Sequence, residues 1–548
     1  MRKLLTIAAT AAALLPLLAP LAAAQHAPPD HPHVAPEKLG TVNFATSCNS
    51  TVQPDVDRAV ALMHSFQFGP AIDGLRSVLR RDPACGIAYW GIALSSWGNP
   101  FAGYKSPAQL AQGRAAVASG RAAAPPSARE RAYLDAVAQL YADSARLGQP
   151  ARLAAYETAM ARLCADFPDD IEARIFYALA MASAADPADK TYARQREAGA
   201  MLETLFARYP DHPGLAHYII HAYDEPALAA RAAAAARRYS DIAPSTPHAL
   251  HMPSHTYTRI GDWQASIATN TASAASARRA GQPADELHAS DYMVYALLQT
   301  AQDAAAQQVV RDAEEAFGRF DPDHATGAAP ASAAFFAHAA IPARYCLERR
   351  DWAAALALTP RPSPFPWADA VTVFARGLGA AHLHNAAVAE QSIATLAALR
   401  DRMQAAGDSY WAGQAAIQEQ EVAAQWAVAQ GETARAWALL TRAAAMEDVT
   451  ELASITPGPF VPAREMLGEL LLESGQPQLA LVQFNATLTR QPNRFWSLYG
   501  AAKAAAAGGD ARTARTYVAQ LLTVTRGADE PRRAALAEAS AIAGKVDR

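Results

Sequence analysis

The hydrophobic pattern of this chain is that of helix and of almost nothing else. Long segments rich in Ala and other apolar residues run with few glycines, and alternating strand signals are nearly absent. About half of the 548 residues are apolar. The helical segments come in pairs separated by short turns, as in QFGPAIDGLRSVLRRDP ending at Pro83, IGDWQASIATN around Trp263, RRDWAAALAL around Trp352 and QGETARAWALL after Gly431. This predicts an all-α fold of helical hairpins.

The hairpins repeat. Gly475 and Gly509 are 34 residues apart, and so are Ala480 and Ala514, each pair opening the second helix of a unit. The same period separates Pro210 from Pro244 and Pro213 from Pro247, and it carries His217 onto His251 and His221 onto His255. Equivalent residues of stacked repeats line up on one face, so four imidazoles are expected to converge.

Thirty-four residues is the length of the tetratricopeptide repeat (TPR), and GQPQLALVQFNATLTRQPN resembles the second helix of such a unit along its whole length. The resemblance covers most of the chain. It implies a TPR-like helix-turn-helix solenoid over residues 48–548, a right-handed superhelix, with irregular insertions near 99–126, 280–286, 321–331 and 448–460 and His-rich groove units at about 210–300. HALHMPSHTYTRIGDW and PNRFWSLYGAAKAAAAGGD further resemble stretches of exported bacterial TPR proteins.

In TPR solenoids the first helix of each unit lines the concave groove. Phased on that family, His217 and His221 face the groove, with Asp224 and Glu225 following on the same face. His248, His251, His255 and Arg259 do so in the next unit. The third unit is displaced by an insertion of six residues in this phasing and offers His288, Asp291 and Tyr295. His64 and Met63 fall on the groove side of the first unit. TPR grooves that clamp acidic peptide tails use Lys, Arg and Asn; this one presents His, Asp and Tyr.

An i,i+4 pair puts two imidazoles on one helix face, with Cβ atoms about 5–6 Å apart. Helices packed about 8–10 Å apart let pairs from neighbouring units share an ion. The predicted ligands are His217, His221, His251 and His255, with His248, His288, Asp224 and His64 as further candidates. Imidazole suits copper, zinc and iron alike. Metal affinity is expected to fall as the ligands protonate near pH 6.5. Pro253, between His251 and His255, disfavours helix at Met252 and predicts a kink or helix start there, with the carbonyl of Ala249 freed for a ligand.

No HExxH helix, phosphate loop, GxSxG elbow or CxxC pair occurs. Three functional classes stay open: a metal-binding protein; a metal-dependent enzyme with Asp291, Tyr295, Glu225 or Glu286 as acid or base; and a metal-free scaffold for a protein, peptide or small molecule. A formal net charge of −4 and a pI near 6.4 provide no basic stripe, which argues against a nucleic-acid partner.

Arg2 and Lys3, the apolar run from Leu4 to Leu18 and Ala22–Ala24 predict a signal peptide over residues 1–24 and a periplasmic or secreted protein. Residues 25–47, rich in Pro and holding His26, His31 and His33, read as a disordered leader. No later stretch offers about eighteen apolar residues, so no transmembrane segment is expected. Cys48 and Cys85 flank the first hairpin and are expected to pair in an exported chain, leaving Cys164 and Cys346 as buried thiols.

Overall fold

The computed structural model describes residues 37–103, 105–361 and 363–546. The expected signal peptide, and the expected leader up to residue 36, lie outside the described residues. The described residues, Glu37 apart, belong to one compact unit, Lys38–Arg548.

The expected all-α, TPR-like solenoid is what the chain forms. Its helices succeed one another in pairs: α1 (Gln53–His64) with α2 (Phe68–Arg81), α3 (Ile87–Trp97) with α4 (Pro107–Ala123), α5 (Ala128–Gln139) with α6 (Gln149–Asp166), α7 (Ile171–Ser183) with α8 (Ala193–Phe206), and α9 (Pro213–Ala222) with α10 (Ala229–Ile242). Next, α11 (Pro247–His251) and α12 (Pro253–Ile260) together pair with α13 (Trp263–Arg279). They are followed by α14 (Pro283–Gln299) with α15 (Asp303–Gly318) and α16 (Ala331–Glu348) with the short α17 (Trp352–Ala357). The last pairs are α18 (Pro366–His382) with α19 (Ala386–Ala405), α20 (Ser409–Ala429) with α21 (Thr433–Asp448), α22 (Ala463–Glu473) with α23 (Pro477–Arg490), and α24 (Phe495–Ala507) with α25 (Ala511–Val524), closed by α26 (Ala534–Val546). The first helices of successive units pack side by side, α7 on α9, α9 on α12, α12 on α14 and α14 on α16.

Two local devices set the repeat. The turn inside most hairpins passes through a left-handed residue, a conformation most easily reached by glycine, and Gly261, Gly475 and Gly509 supply it. At Gly261 a side chain is excluded twice over, since a Cβ would lie 2.3 Å from the Pro492 carbonyl oxygen. The next helix then opens on an aspartate whose side chain accepts a backbone N–H three residues on, at Asp262, Asp351 and Asp510, and Asp408 caps the first helix α20 in the same way. Such a cap contributes about 0.5–2 kcal/mol.

Several boundaries differ from expectation. Residues 38–47 are not a disordered leader: Leu39, Val42 and Phe44 are buried, and Phe44 stacks on Trp90 at 5.0 Å between ring centroids. Their apolar side chains cover the core of the N-terminal units, which outweighs the ordering entropy of so short a segment. Most of the insertion expected at 99–126 is α4, the second helix of its unit, so only the loop at 98–106 departs from the repeat. The insertion near 280–286 shrinks to residues 280–282, because α14 starts at Pro283, where proline at the first helical turn sacrifices no hydrogen bond. The segments at 321–331 and 448–460 are irregular as expected, the first containing a 3-10 turn.

Cys48 and Cys85 lie at disulfide distance, with Cα atoms 4.7 Å apart. Cys346 is buried, whereas Cys164 is only half-buried. Among the described residues no helix is long and apolar enough to cross a membrane.

The winding brings distant units together. His64 on α1 touches Tyr218 on α9, and near the other end Trp263 donates to the Asn493 carbonyl while Gln299 accepts the N–H of Phe495. The loop between α21 and α22 returns across the first helices of the middle units. Arg344 donates to the Gly458 carbonyl, Arg259 to that of Pro457, and Tyr292 to that of Ser454. The chain thus lays its own loop over the face that first helices would otherwise expose.

Candidate metal centre

Six imidazoles from three consecutive units meet under this loop. α9 contributes His217 and His221, α11 His248 and His251, α12 His255, and α14 His288. Five are buried and His288 is half-buried, so they line an enclosed site and not an open groove.

Pro253 breaks the helix but leaves the backbone around it helical. It ends α11 and starts α12, yet Met252 keeps helical dihedrals (φ −54°, ψ −34°) and the N–H of His255 bonds to the Met252 carbonyl. His251 and His255 therefore remain one turn apart on one face. The Ala249 carbonyl accepts from Ser240 Oγ at 3.4 Å, which accounts for it without a ligand.

The six rings form two sets of three. In each, the candidate nitrogens of all three residues lie within 4.8 Å of one another: His217, His221 and His248 in one, His251, His255 and His288 in the other. Each set contains two Nε2 atoms facing each other at 3.0 Å, His217 against His248 and His251 against His255. Each also holds a third ring with a buried, unpartnered nitrogen, Nε2 of His221 and Nδ1 of His288. The sets adjoin, with ring centroids 6.0 Å apart for His248 and His251 and 6.2 Å apart for His221 and His255.

Hydrogen bonds behind the rings determine which nitrogens carry protons. His255 Nδ1 lies 2.8 Å from a carboxylate oxygen of Asp224, which can only accept. His251 Nδ1 lies 2.7 Å from Asn270 Oδ1, and the amide is fixed in that sense because its Nδ2 donates to the Ser266 carbonyl. Both Nδ1 atoms must donate. In neutral rings both Nε2 atoms then present lone pairs, aimed at each other at 3.0 Å. In the first set, His217 Nδ1 donates to the backbone carbonyl of His64 at 2.6 Å, so its Nε2 is an acceptor as well.

Burial favours the neutral rings. It pushes His217 and His288 down to about 3, and His221, His248 and His251 well below the ordinary imidazole value, with the neighbouring imidazoles adding to the effect. Asp224 is subject to burial in the opposite sense, but Arg259 and His255 hold its carboxyl below the usual range. Arg259 Nε donates to it at 3.0 Å. Aromatic rings wall the site: Phe66 lies against His217, His221 and His248, Phe101 stacks on His221 at 4.4 Å between centroids, and Tyr292 stacks on His255 at 4.7 Å.

The other candidates from the sequence go elsewhere. The His64 ring bonds to Glu172 at 2.8 Å and to the Tyr218 hydroxyl at 3.0 Å, so only its backbone carbonyl serves the histidine sets. Asp291 is paired with the fully buried Arg344, and Tyr295 donates to Gln491. Glu286 is held by Arg278 and Arg319. Glu225 is pushed up by burial and by Glu451, its hydrogen-bond partner. The error in the third unit is one of register. His288 lies 37 residues after His251, so the insertion adds three residues to the period and not six. The i,i+4 partner of His288 is thus Tyr292, while Asp291 and Tyr295 are engaged by Arg344 and Gln491.

Two groups were missed. Tyr292 was readable from the spacing His288 to Tyr292. The cluster of Glu172 with His64 and His212 joins units far apart in sequence and left no local signal.

No protein-family profile and no curated protein matches this chain. Among solved structures, it is similar to the APC/C hetero-tetramer Cut9-Hcn1, at 10% identity and a TM-score of 0.30, over 91% of this chain and 96% of that one. It is also similar to the human IFIT1 dimer with m7Gppp-AAAA, at 9% identity and a TM-score of 0.38, over 81% and 90%. At these scores, the fold assignment rests on the chain's own helical repeats.

Proposed function

We propose that the protein binds transition-metal ions, one in each set of three histidines. The observation that carries this reading is the pair His251 and His255. Two buried lone pairs facing at 3.0 Å repel unless a cation lies between them, and burial disfavours a proton on His251. Two nitrogens bound to one tetrahedral ion at about 2.0–2.1 Å sit about 3.3 Å apart, close to what both sets present.

All six ligands are imidazoles. That favours copper or zinc over iron, whose open sites commonly combine two histidines with a carboxylate. A metal-free peptide scaffold is the weaker reading, because the loop at 449–462 already occupies the face where a peptide would lie. Export to the periplasm or medium is part of the same proposal, supported by the N-terminal sequence pattern and by the Cys48 and Cys85 pair.

Metal analysis of protein purified without a histidine tag tests the reading. Replacing His217 and His251 together with Ala should abolish stoichiometric metal; full occupancy in that variant refutes it. Acidification should release metal well below pH 6.5, since His217 and His288 resist protonation down to about 3.

A further inference from the structure

Charge at this centre is unbalanced by protein groups. Of the carboxylates nearby, Asp224 is neutralised by Arg259, and Asp291 by Arg344. Glu172 is engaged by His64 and His212, with the His64 ring between it and the first histidine set. None is directed at the space between the facing nitrogens. Two divalent ions held by six neutral imidazoles would place four positive charges in an enclosed, aromatic-walled site, an arrangement that burial strongly disfavours without counter-charge.

Coordination is incomplete in the same place. Each set supplies three nitrogens, one fewer than a tetrahedral ion takes, as in catalytic and not structural metal sites. The sets adjoin, with ring centroids 6.0 Å apart for His248 and His251 and 6.2 Å apart for His221 and His255, so a single small group between them could complete both.

Building on the metal reading, we infer that the two ions share one exogenous small anion, hydroxide at rest, which bridges them and exchanges with other small anions. The exchange is a ligand substitution without redox change: azide forms a metal–nitrogen bond to each ion, both metal–oxygen bonds of the bridging hydroxide break, and hydroxide leaves. A bridging anion supplies negative charge to both ions and fills both open positions with one group. It also makes the centre competent for chemistry on a bound anion or on a substrate that displaces it, in the manner of two-metal sites. The Phe101 ring, stacked on His221, covers one side of that space.

The test uses the full chain loaded with cobalt(II). Uptake of two cobalt ions is established first, by metal analysis; failure at that stage overturns the metal reading and this inference with it. Sodium azide is then titrated and followed by visible absorption. The expected result is a saturable change at one azide per two cobalt ions. His288→Gln, which preserves bulk while removing a ligand of the second set, should hold one cobalt and bind azide at least about tenfold more weakly, having lost one of two attracting charges. His248→Gln, emptying the first set instead, provides the matching variant should the other fail to fold. An unchanged spectrum at two-cobalt occupancy, or one azide per cobalt with the same affinity in a one-cobalt variant, would show that the ions do not share an anion.

Discussion

His251 and His255 face each other through Nε2 atoms 3.0 Å apart across a proline, each ring held from behind by an oxygen that can only accept. Everything proposed for the centre depends on that pairing of tautomers. It makes the groups behind the rings as consequential as the rings themselves.

Asp224 is the most direct case. It fixes the His255 tautomer and raises the basicity of its Nε2, so Asp224→Asn should weaken binding at the second set by about 10- to 100-fold and spare the first. Competition with a chelator, resolved for the two ions, measures this. Equal weakening of both ions, or of neither, would show that Asp224 does not act through His255.

Gly214 lies directly under His64. A Cβ there would come within 2.3 Å of His64 Nδ1, and α9 has no room to move away because it is buried along its whole length. Gly214→Ala is expected to cost about 1–3 kcal/mol of stability and to disturb the His64 carbonyl that holds His217. Thermal unfolding together with the metal content of the first set reports both effects; a variant as stable as the parent would contradict the close approach.

Much of the centre could be read from the sequence because a helical repeat converts spacing into position. The 34-residue period alone placed His217 with His221 and His251 with His255. What it could not place depended on insertions and on winding. A three-residue offset before α14 exchanged Asp291 and Tyr295 for Tyr292. Asn270 sits on the second helix of its unit, a position that the groove pattern ignores, and the loop at 449–462 reaches Arg259, Arg344 and Tyr292 only because distant units return to the middle ones. The docked segment at 38–47 was obscured by the Pro-rich composition preceding it, although Phe44 and Val42 lay in view.

Asp285 gives the fold a pH dependence. Its carboxyl is buried and raised to about 7, the N–H groups of Ala328 and Ala329 offsetting only part of the burial. The unfolded chain releases this proton near pH 4 and the folded chain near pH 7, so this group's contribution falls as pH rises through that window. The slope is at most about 1.4 kcal/mol per pH unit. Asp285→Asn should flatten denaturant stability between pH 4 and 7; an unchanged slope would place the titration elsewhere.

The Cys48 and Cys85 pair closes a loop across a sequence separation of 37. Loop entropy assigns such a link about 4 kcal/mol. Reduction, or Cys48→Ser with Cys85→Ser, should lower the stability of the N-terminal units, which supply the His64 carbonyl behind His217, while leaving the second histidine set loaded. Hydrogen exchange localised to residues 38–85 distinguishes this from global destabilisation, and protection that is unaffected by reduction would mean that Phe44 and its apolar contacts suffice.

The number of metal ions per chain tests the account most directly. Native mass spectrometry of the tag-free protein should find two ions, falling to one in His248→Gln, to one in His288→Gln and to none when His217 and His251 are both replaced. A metal-free protein that takes up no stoichiometric zinc or copper on reconstitution, or one whose metal count ignores these histidines, would contradict it.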